Sequence, residues 1–449
     1  MRIIRRLLKL VLRIAIVLVV IMAVAYLYFS ITWGRALDRE LTRLRKAGVH
    51  LSPAQFAPPP VPDRENAALL YEAAAKQVKI AREDWELAYK VLDAVVAGKK
   101  PLSTLSALRP IVEKNQRALS LVEQAAQLPR SRFPVDWGDG GAVVFRPLAR
   151  VKEVARPVPW QVLVLASQGD VAGALRASRA GLRLAEAVGA EPGIISQLVD
   201  YAVWAIMLHN LRMLEEVSDL PPAQAHDLFS HLQRVNLVTG SVRAVEYERA
   251  LGVWEFGEID RDPSKFVRER LEWSGDISPG PGDRFWIRLY GSFLGALLRK
   301  HDELAYLKTM AQLAGQAKVP YRQSKPGHDK LTRDAERLPA WDLRTRLVPP
   351  VYARLSQKRD EAQAEIGACQ IGLALNVYRQ RFHRYPATLA ELERAVGWTL
   401  PKDPFSGKDY SYRREGKGLA LSSWGPALES EEAEWRARLR ERLTWRWRR

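Results

Sequence analysis

The chain has 449 residues, with 69 Lys and Arg against 51 Asp and Glu, a net charge of +18 and a single cysteine, Cys369. One cysteine excludes an intrachain disulfide, so the protein folds by packing alone. The basic excess calls for anionic neighbours such as anionic lipid, an envelope polymer or acidic proteins. Nucleic acid is disfavoured, because no recognised binding motif accompanies the charge and the expected compartment, outside the cytoplasm, argues against it.

Residues 14–31 read IAIVLVVIMAVAYLYFSI, without a charge. At 1.5 Å per residue this run covers about 27 Å, close to the hydrocarbon thickness of a bilayer. Trp33 extends the span to 14–33 as an interfacial anchor. Arg2, Arg5, Arg6, Lys9 and Arg13 make residues 1–13 basic, which predicts a cytoplasmic N-terminus and a body beyond the inner membrane. Arg35, Arg39, Arg43, Arg45 and Lys46 oppose that bias, but large domains cross largely regardless of such charge. A cleaved signal peptide is the rival reading, since Ala23-Val24-Ala25 resembles a processing site; residues 26–29 prolong the apolar run past it.

Residues 34–62 are expected to form a short amphipathic helix and then a stiff spacer. Leu37, Leu41 and Leu44 share a face before a stop at Gly48, and residues 52–62 hold prolines 53, 58, 59, 60 and 62. The body, 63–349, reads as overwhelmingly helical. Asp63 is expected to cap its first helix, where Ala67, Leu70, Tyr71, Ala74 and Val78 recur at helical spacing. Residues 134–145, 274–285 and 318–342 are expected to be irregular or polar loops.

Within the body, residues 158–188 give one helix ending at Gln168-Gly169-Asp170 and a second that restarts at once, with Ala174, Ala177 and Ala180 allowing close approach. This stretch resembles a tetratricopeptide-type helical hairpin, without a second copy at 34-residue spacing. The expected fold is therefore mainly α: a transmembrane helix, an irregular, solenoid-like array of helical hairpins, and a small α+β module at 350–428.

That module is expected to hold a long helix ending before Pro386, a turn at Asp403-Pro404-Phe405-Ser406-Gly407, and a hairpin whose strands flank residues 415–418. Tyr378, Arg384-Tyr385-Pro386, the helix at 389–392, Asp403-Pro404-Phe405, Tyr410-Ser411-Tyr412 and Ser423-Trp424-Gly425 occur in an order that resembles the C-terminal half of type II secretion major pseudopilins. The resemblance implies a long helix packed on an antiparallel sheet and a place near a secretion machine. Two departures separate this chain from that family. Its span lies far upstream of the module with no Gly-x-x-x-x-Glu processing signal, and glutamates replace the aspartates of the calcium loop. The whole chain also resembles single-pass bacterial envelope proteins with an NAA helix after a proline spacer, a likeness that implies no activity.

No HExxH, CxxC or phosphate loop occurs, and the seven histidines are scattered, so neither a metal nor another cofactor is expected. Glu248 and Glu255 lie about two helical turns apart beside Trp254 and Phe256. They are the candidate pair for an envelope hydrolase, weighed against ion pairs with Arg243, Arg249, Arg261 and Arg268. In the tail, 429–449, Trp435, Leu439, Leu443 and Trp447 recur every four residues among arginines. This predicts a basic helix for an anionic membrane surface through Trp435, Arg436, Arg438, Arg440, Arg442, Trp445, Arg446 and Trp447, weighed against a stripe resting on the protein itself. The favoured expectation is a non-enzymatic, membrane-anchored scaffold or adaptor with protein partners in the envelope.

Overall fold

The computed structural model describes residues 2–96, 99–135, 137, 146–272, 280–416, 418–426 and 443–447. In chain order the helices are α1 (Arg2–Lys46), α2 (Ala67–Ala75), α3 (Arg82–Val96), α4 (Arg109–Lys114), α5 (Gln116–Ala125), α6 (Arg146–Ala155), α7 (Val158–Ser167), α8 (Val171–Gly189) and α9 (Ile194–Val217). They continue as α10 (Pro222–Gln233), α11 (Leu237–Arg261), α12 (Pro263–Glu272), α13 (Pro281–Tyr290), α14 (Gly295–Gln316), α15 (Tyr321–Glu336), α16 (Val348–Phe382) and α17 (Leu389–Val396). The strands are β1 (Ser411–Glu415), β2 (Gly418–Ser422) and β3 (Thr444–Trp447). The protein is mainly helical, as its composition requires.

Two compact units divide the chain. Unit 1 takes residues 1–56, 246–314 and 328–352; unit 2 takes 57–245, 315–327 and 353–449. Each unit is discontinuous in sequence. Helices α11, α15 and α16 pass from one unit into the other, which no composition shift marks.

In unit 1, α1 is long and apolar enough to span a membrane, and every side chain from Lys9 to Val24 is exposed. One helix runs through the apolar stretch and the expected juxtamembrane helix. Its C-terminal end is core, because Leu37 and Leu44 bury against Leu307 of α14, with Leu41, Val49, Leu51 and Leu304 around them. The proline segment begins with a turn of 3-10 helix, Pro53–Phe56, whose Pro53 and Phe56 are buried. Phe56 meets the Tyr247 ring edge-on at 5.5 Å. Residues 53–56 are therefore part of the unit rather than a free spacer.

Two expected loops are partly helical. Residues 318–342 contain α15, whose buried Tyr321, Ser324, His328, Leu331 and Ala335 repeat every three or four positions. Pro326 lies inside the helix, past the four N-terminal donors that lack helical partners, and interrupts its hydrogen-bond ladder there. Residues 281–285 open α13, and Asp283 accepts a hydrogen bond from the Gly280 amide at 3.0 Å.

In unit 2, Asn66 rather than Asp63 caps the first helix, accepting from the Ala68 amide at 3.2 Å while its amide group donates to the Arg132 carbonyl at 2.9 Å. The hairpin at 158–188 forms as α7 and α8. Gly169 supplies the positive φ (81°) of the turn, Asp170 caps α8 through the Gly173 amide at 2.8 Å, and Ala174, Ala177 and Ala180 are buried. Helix α8 packs on both α7 and α9. The apolar α9 is also long enough to cross a membrane, but 61% of its window is buried in the protein, as for a core helix.

Helix α16 supplies much of the core of unit 2, with Ile366, Cys369, Ile371, Leu373, Ala374 and Leu375 fully buried. Gly367 lets Tyr410 reach it: a Cβ there would lie 2.2 Å from the phenolic oxygen, which donates to the Ala364 carbonyl at 3.1 Å. The sheet has the order β1-β2-β3 and is antiparallel throughout. Its first hairpin closes at Glu415 and Gly418, where the turn was expected. The tail corrects the helical reading. Residues 444–447 form β3, pairing Leu421 with Trp445 and Leu419 with Trp447. Alternation puts both tryptophans into the core, at 2% and 4% exposure, with Arg446 pointing out. Trp445 and Trp447 are thus unavailable to a lipid surface, while Trp435, Arg436, Arg438, Arg440 and Arg442 lie outside the described residues, as do residue 136 and residues 138–145 of the first expected insert.

Candidate functional site

The two glutamates singled out in α11 come together at an arginine that the sequence did not point to. Arg344 forms an ion pair with Glu255 and lies in the field of Glu248. Its guanidinium carbon sits 5.8 Å from the centre of the Phe256 ring and 5.5 Å from that of Tyr306. Burial lowers the Arg344 pKa to about 10, against the opposing pull of Glu248, and the group stays cationic at neutral pH. Tyr306 is fully enclosed and donates to the Glu248 carbonyl at 2.6 Å, fixing this turn of α11. Of the arginines expected to pair with the two glutamates, Arg261 bridges Glu258 and Arg243 donates to the Ala190 carbonyl.

Next to Arg344 in sequence, Thr345 and the preceding loop are held by Asp302 of α14. The Asp302 carboxylate is fully buried and accepts from Tyr290 Oη (2.9 Å), the Arg344 amide (3.0 Å), the Thr345 amide (3.1 Å) and Thr345 Oγ1 (2.6 Å). Burial raises its pKa, and the hydrogen bonds oppose that rise. Arg299, one turn earlier, is also buried, donating to Asp260 at 2.5 Å and to the Tyr290 carbonyl. His301 contacts the buried Asp342 at 2.8 Å, and this bond raises the histidine pKa. Trp33 of α1 packs on the His301 ring, with centroids 4.6 Å apart.

One acid in this cluster stands apart. Glu303 is half-buried, and its pKa is pushed up to about 7, first by burial and then by the like charges of Asp260, Asp302 and Asp38. It therefore changes charge near neutral pH, on a helix that packs against the C-terminal end of α1.

Beside this network a cleft of about 610 Å³ opens in unit 1, walled by Ile259, Phe266, Ile287, Tyr290 and Leu347, with Arg344 at its polar side. Apolar walls with a few convergent polar groups suit a binding site. Among the described residues, no group of three or more His, Cys, Asp or Glu side chains is placed to hold a metal ion.

Sequence reasoning named Glu248 and Glu255 but missed Arg344, Asp302, Arg299 and the His301–Asp342 pair. The available signal was Arg299-Lys300-His301-Asp302-Glu303, five consecutive ionisable residues inside an otherwise apolar helical pattern, where some of them must face the core.

The C-terminal motifs singled out in the sequence meet in unit 2. Glu391 accepts from Tyr378 Oη (2.5 Å), Arg384 (2.8 Å) and the Ala387 amide (2.6 Å), and these bonds hold its pKa down to about 2. Thr388 caps α17, taking the Glu391 amide at 3.1 Å, and Tyr412 donates to the Pro386 carbonyl at 2.7 Å. Asp403 is fully buried; it accepts from the Ser406 amide at 2.9 Å and from the Ser423 hydroxyl, tying the Asp-Pro-Phe turn to the Ser-Trp-Gly ending.

No protein-family model, curated protein or solved structure matches this chain.

Proposed function

We propose that this protein is a single-pass, membrane-anchored scaffold or adaptor whose body lies outside the cytoplasm, with protein partners in the envelope. The observation that carries this reading is the continuity of α1. The apolar helix does not end in a flexible tether but runs directly into the core of unit 1 through Leu37 and Leu44. A rigid mount of this kind suits a protein that presents surfaces at a fixed height above a bilayer. The charged network supports the same reading, since Asp302, Arg299, Asp260 and Asp342 are taken up by internal bonds. The pilin-like ending, with exposed Trp424 beside the Asp403–Ser423 tie, is the surface we assign to contact with a secretion or envelope assembly.

The competing reading is an envelope hydrolase acting through Glu248 and Glu255. The Arg344 ion pair weighs against it, because a carboxylate held by arginine is a poor proton donor.

Helix α16 contributes to the core, so deleting the C-terminal module would unfold unit 2, and the test uses point variants of the full chain. Crosslinking in native membranes is compared for wild type and Trp424→Glu. Recovery of secretion or pilus components with wild type and their loss with the variant is the expected result. A chain without partners, or a hydrolytic activity abolished by Glu248→Gln, would contradict the adaptor reading.

A further inference from the structure

Helix α14 and the turn before it run beside α1 in the same direction. Tyr26 stacks on Phe293 at 6.0 Å and its hydroxyl lies 3.4 Å from the Phe293 carbonyl; Lys300 Nζ lies 3.5 Å from Ser30 Oγ; Trp33 meets His301; and Leu37 and Leu44 meet Leu307. This ladder fixes the height of the turn at 291–294. Tyr26 lies five residues inside the outer end of the apolar run, about 7.5 Å along the helix axis. Phe293 is therefore level with side chains that face hydrocarbon if α1 spans the membrane.

At that height the turn presents apolar groups to the outside. Phe293 is 81% exposed and Leu294 57%, side by side at the tip. Leaving two large apolar side chains in water is unfavourable relative to burying them. The neighbouring surface of α1 is apolar and exposed as well, through Leu27, Tyr28 and Phe29. Above the tip, Lys300 lies near Ser30 and Trp33, where a cation and an indole ring suit head groups. The turn leaves few backbone groups to satisfy, since the Gly291 amide donates to Ile287, Ser292 to Leu289, Gly295 to Ser292 and Ala296 to Phe293.

We propose that the turn carrying Phe293 and Leu294 is a second membrane contact, inserted into the outer part of the same bilayer leaflet beside α1. The occupant of this apolar tip is the lipid acyl region just below the head groups. The proposal rests on the reading of α1 as a membrane anchor. Its consequence is that unit 1 is held to the bilayer at two points, which restricts its tilt and fixes which face it offers outward.

The test places an environment-sensitive fluorophore at single cysteines of the full chain in a Cys369→Ala background. The protein is reconstituted in phosphatidylcholine–phosphatidylglycerol vesicles, with and without lipids carrying a quencher at a shallow acyl position. Tyr28→Cys reports the anchor, Tyr89→Cys in unit 2 (76% exposed) reports solvent, and Phe293→Cys and Leu294→Cys report the tip. Blue-shifted emission and quenching at the tip as strong as at residue 28, with none at residue 89, is the expected result. Quenching at residue 28 but water-like emission at both tip positions overturns the proposal and leaves the anchor standing. Water-like emission at residue 28 as well overturns the anchor, and the proposal with it.

Discussion

Around Asp302 in unit 1, a single buried carboxylate gathers four donors from α13 and the loop before α16, with Arg299 and Asp260 alongside. Along α16 in unit 2, the corresponding centre is a run of aliphatic side chains, Ile366, Ile371, Leu373 and Leu375, all fully buried. Aliphatic packing tolerates modest change in shape, whereas a buried polar hub tolerates almost no loss of a partner, because each orphaned donor keeps its full desolvation cost. Unit 1 joins short, dissimilar segments, and directional bonds specify which loop meets which helix. Unit 2 is built on one long helix, whose aliphatic run is supplemented by a few polar anchors: Asn376 bonds the Leu220 amide and the Glu215 and Ser218 carbonyls, and Asp360 takes the Tyr321 amide.

The largest effect is expected from Asp302→Ala, which leaves the Tyr290 hydroxyl and the Arg344 and Thr345 amides without an acceptor, while the Thr345 hydroxyl keeps the carbonyl of residue 302. A loss of about 3–5 kcal/mol is expected, read as lost hydrogen-exchange protection in α13 and α14. Protection within about 0.5 kcal/mol of wild type would break the comparison at its polar end, since only changes away from such features are that mild.

Leu373→Ala tests the apolar end. A buried leucine truncated to alanine costs about 2–5 kcal/mol, according to how far the site collapses. Leu373→Met should cost under about 1.5 kcal/mol, because volume is nearly kept. Equal damage from both substitutions would mean that the core of unit 2 is as unforgiving as the hub of unit 1.

Glu303 gives the comparison a pH axis. Its carboxyl is raised from the ordinary value to about 7. The folded state therefore holds its proton more tightly than the unfolded one. That contribution to stability is fully present below pH 4.5 and is lost as pH rises through 7. Glu303→Gln should leave stability near wild type at acid pH and raise it above neutrality, by at most about 3 kcal/mol. Thermal melts across this range check the sign; a variant less stable at high pH would show that the ionised Glu303 has a favourable partner.

The smallest effect is expected at Thr388→Ala, which removes the cap of α17 and should cost about 1 kcal/mol, with local fraying at residues 388–392.

What was legible in the sequence follows the same division. Period and punctuation revealed the apolar run of α1, the Gly169-Asp170 hairpin, the long α16 and the hairpin closing at Glu415 and Gly418, because each is encoded within a few neighbouring residues. The spacing of Glu248 and Glu255 was equally local, but their shared partner Arg344 is far along the chain, and only the tertiary fold brings it there. Helix α15 was hidden by its polarity and by Pro326. Strand β3 was hidden by a coincidence of spacing: Leu443 and Trp447 fit a helical stripe, while the alternation of Trp445, Arg446 and Trp447 fits a strand, and pairing with β2 decides between them.

The central claim is that α1 is a rigid membrane mount for a body outside the cytoplasm, and the most direct measurement is labelling of Tyr89→Cys by a membrane-impermeant maleimide. The native Cys369 is fully buried and stays silent in the folded chain. The account predicts that the chain remains in membranes after alkaline carbonate extraction. It also predicts that residue 89 is labelled while the inner membrane is intact. Labelling only after that membrane is broken, or release of the chain by carbonate, would contradict it.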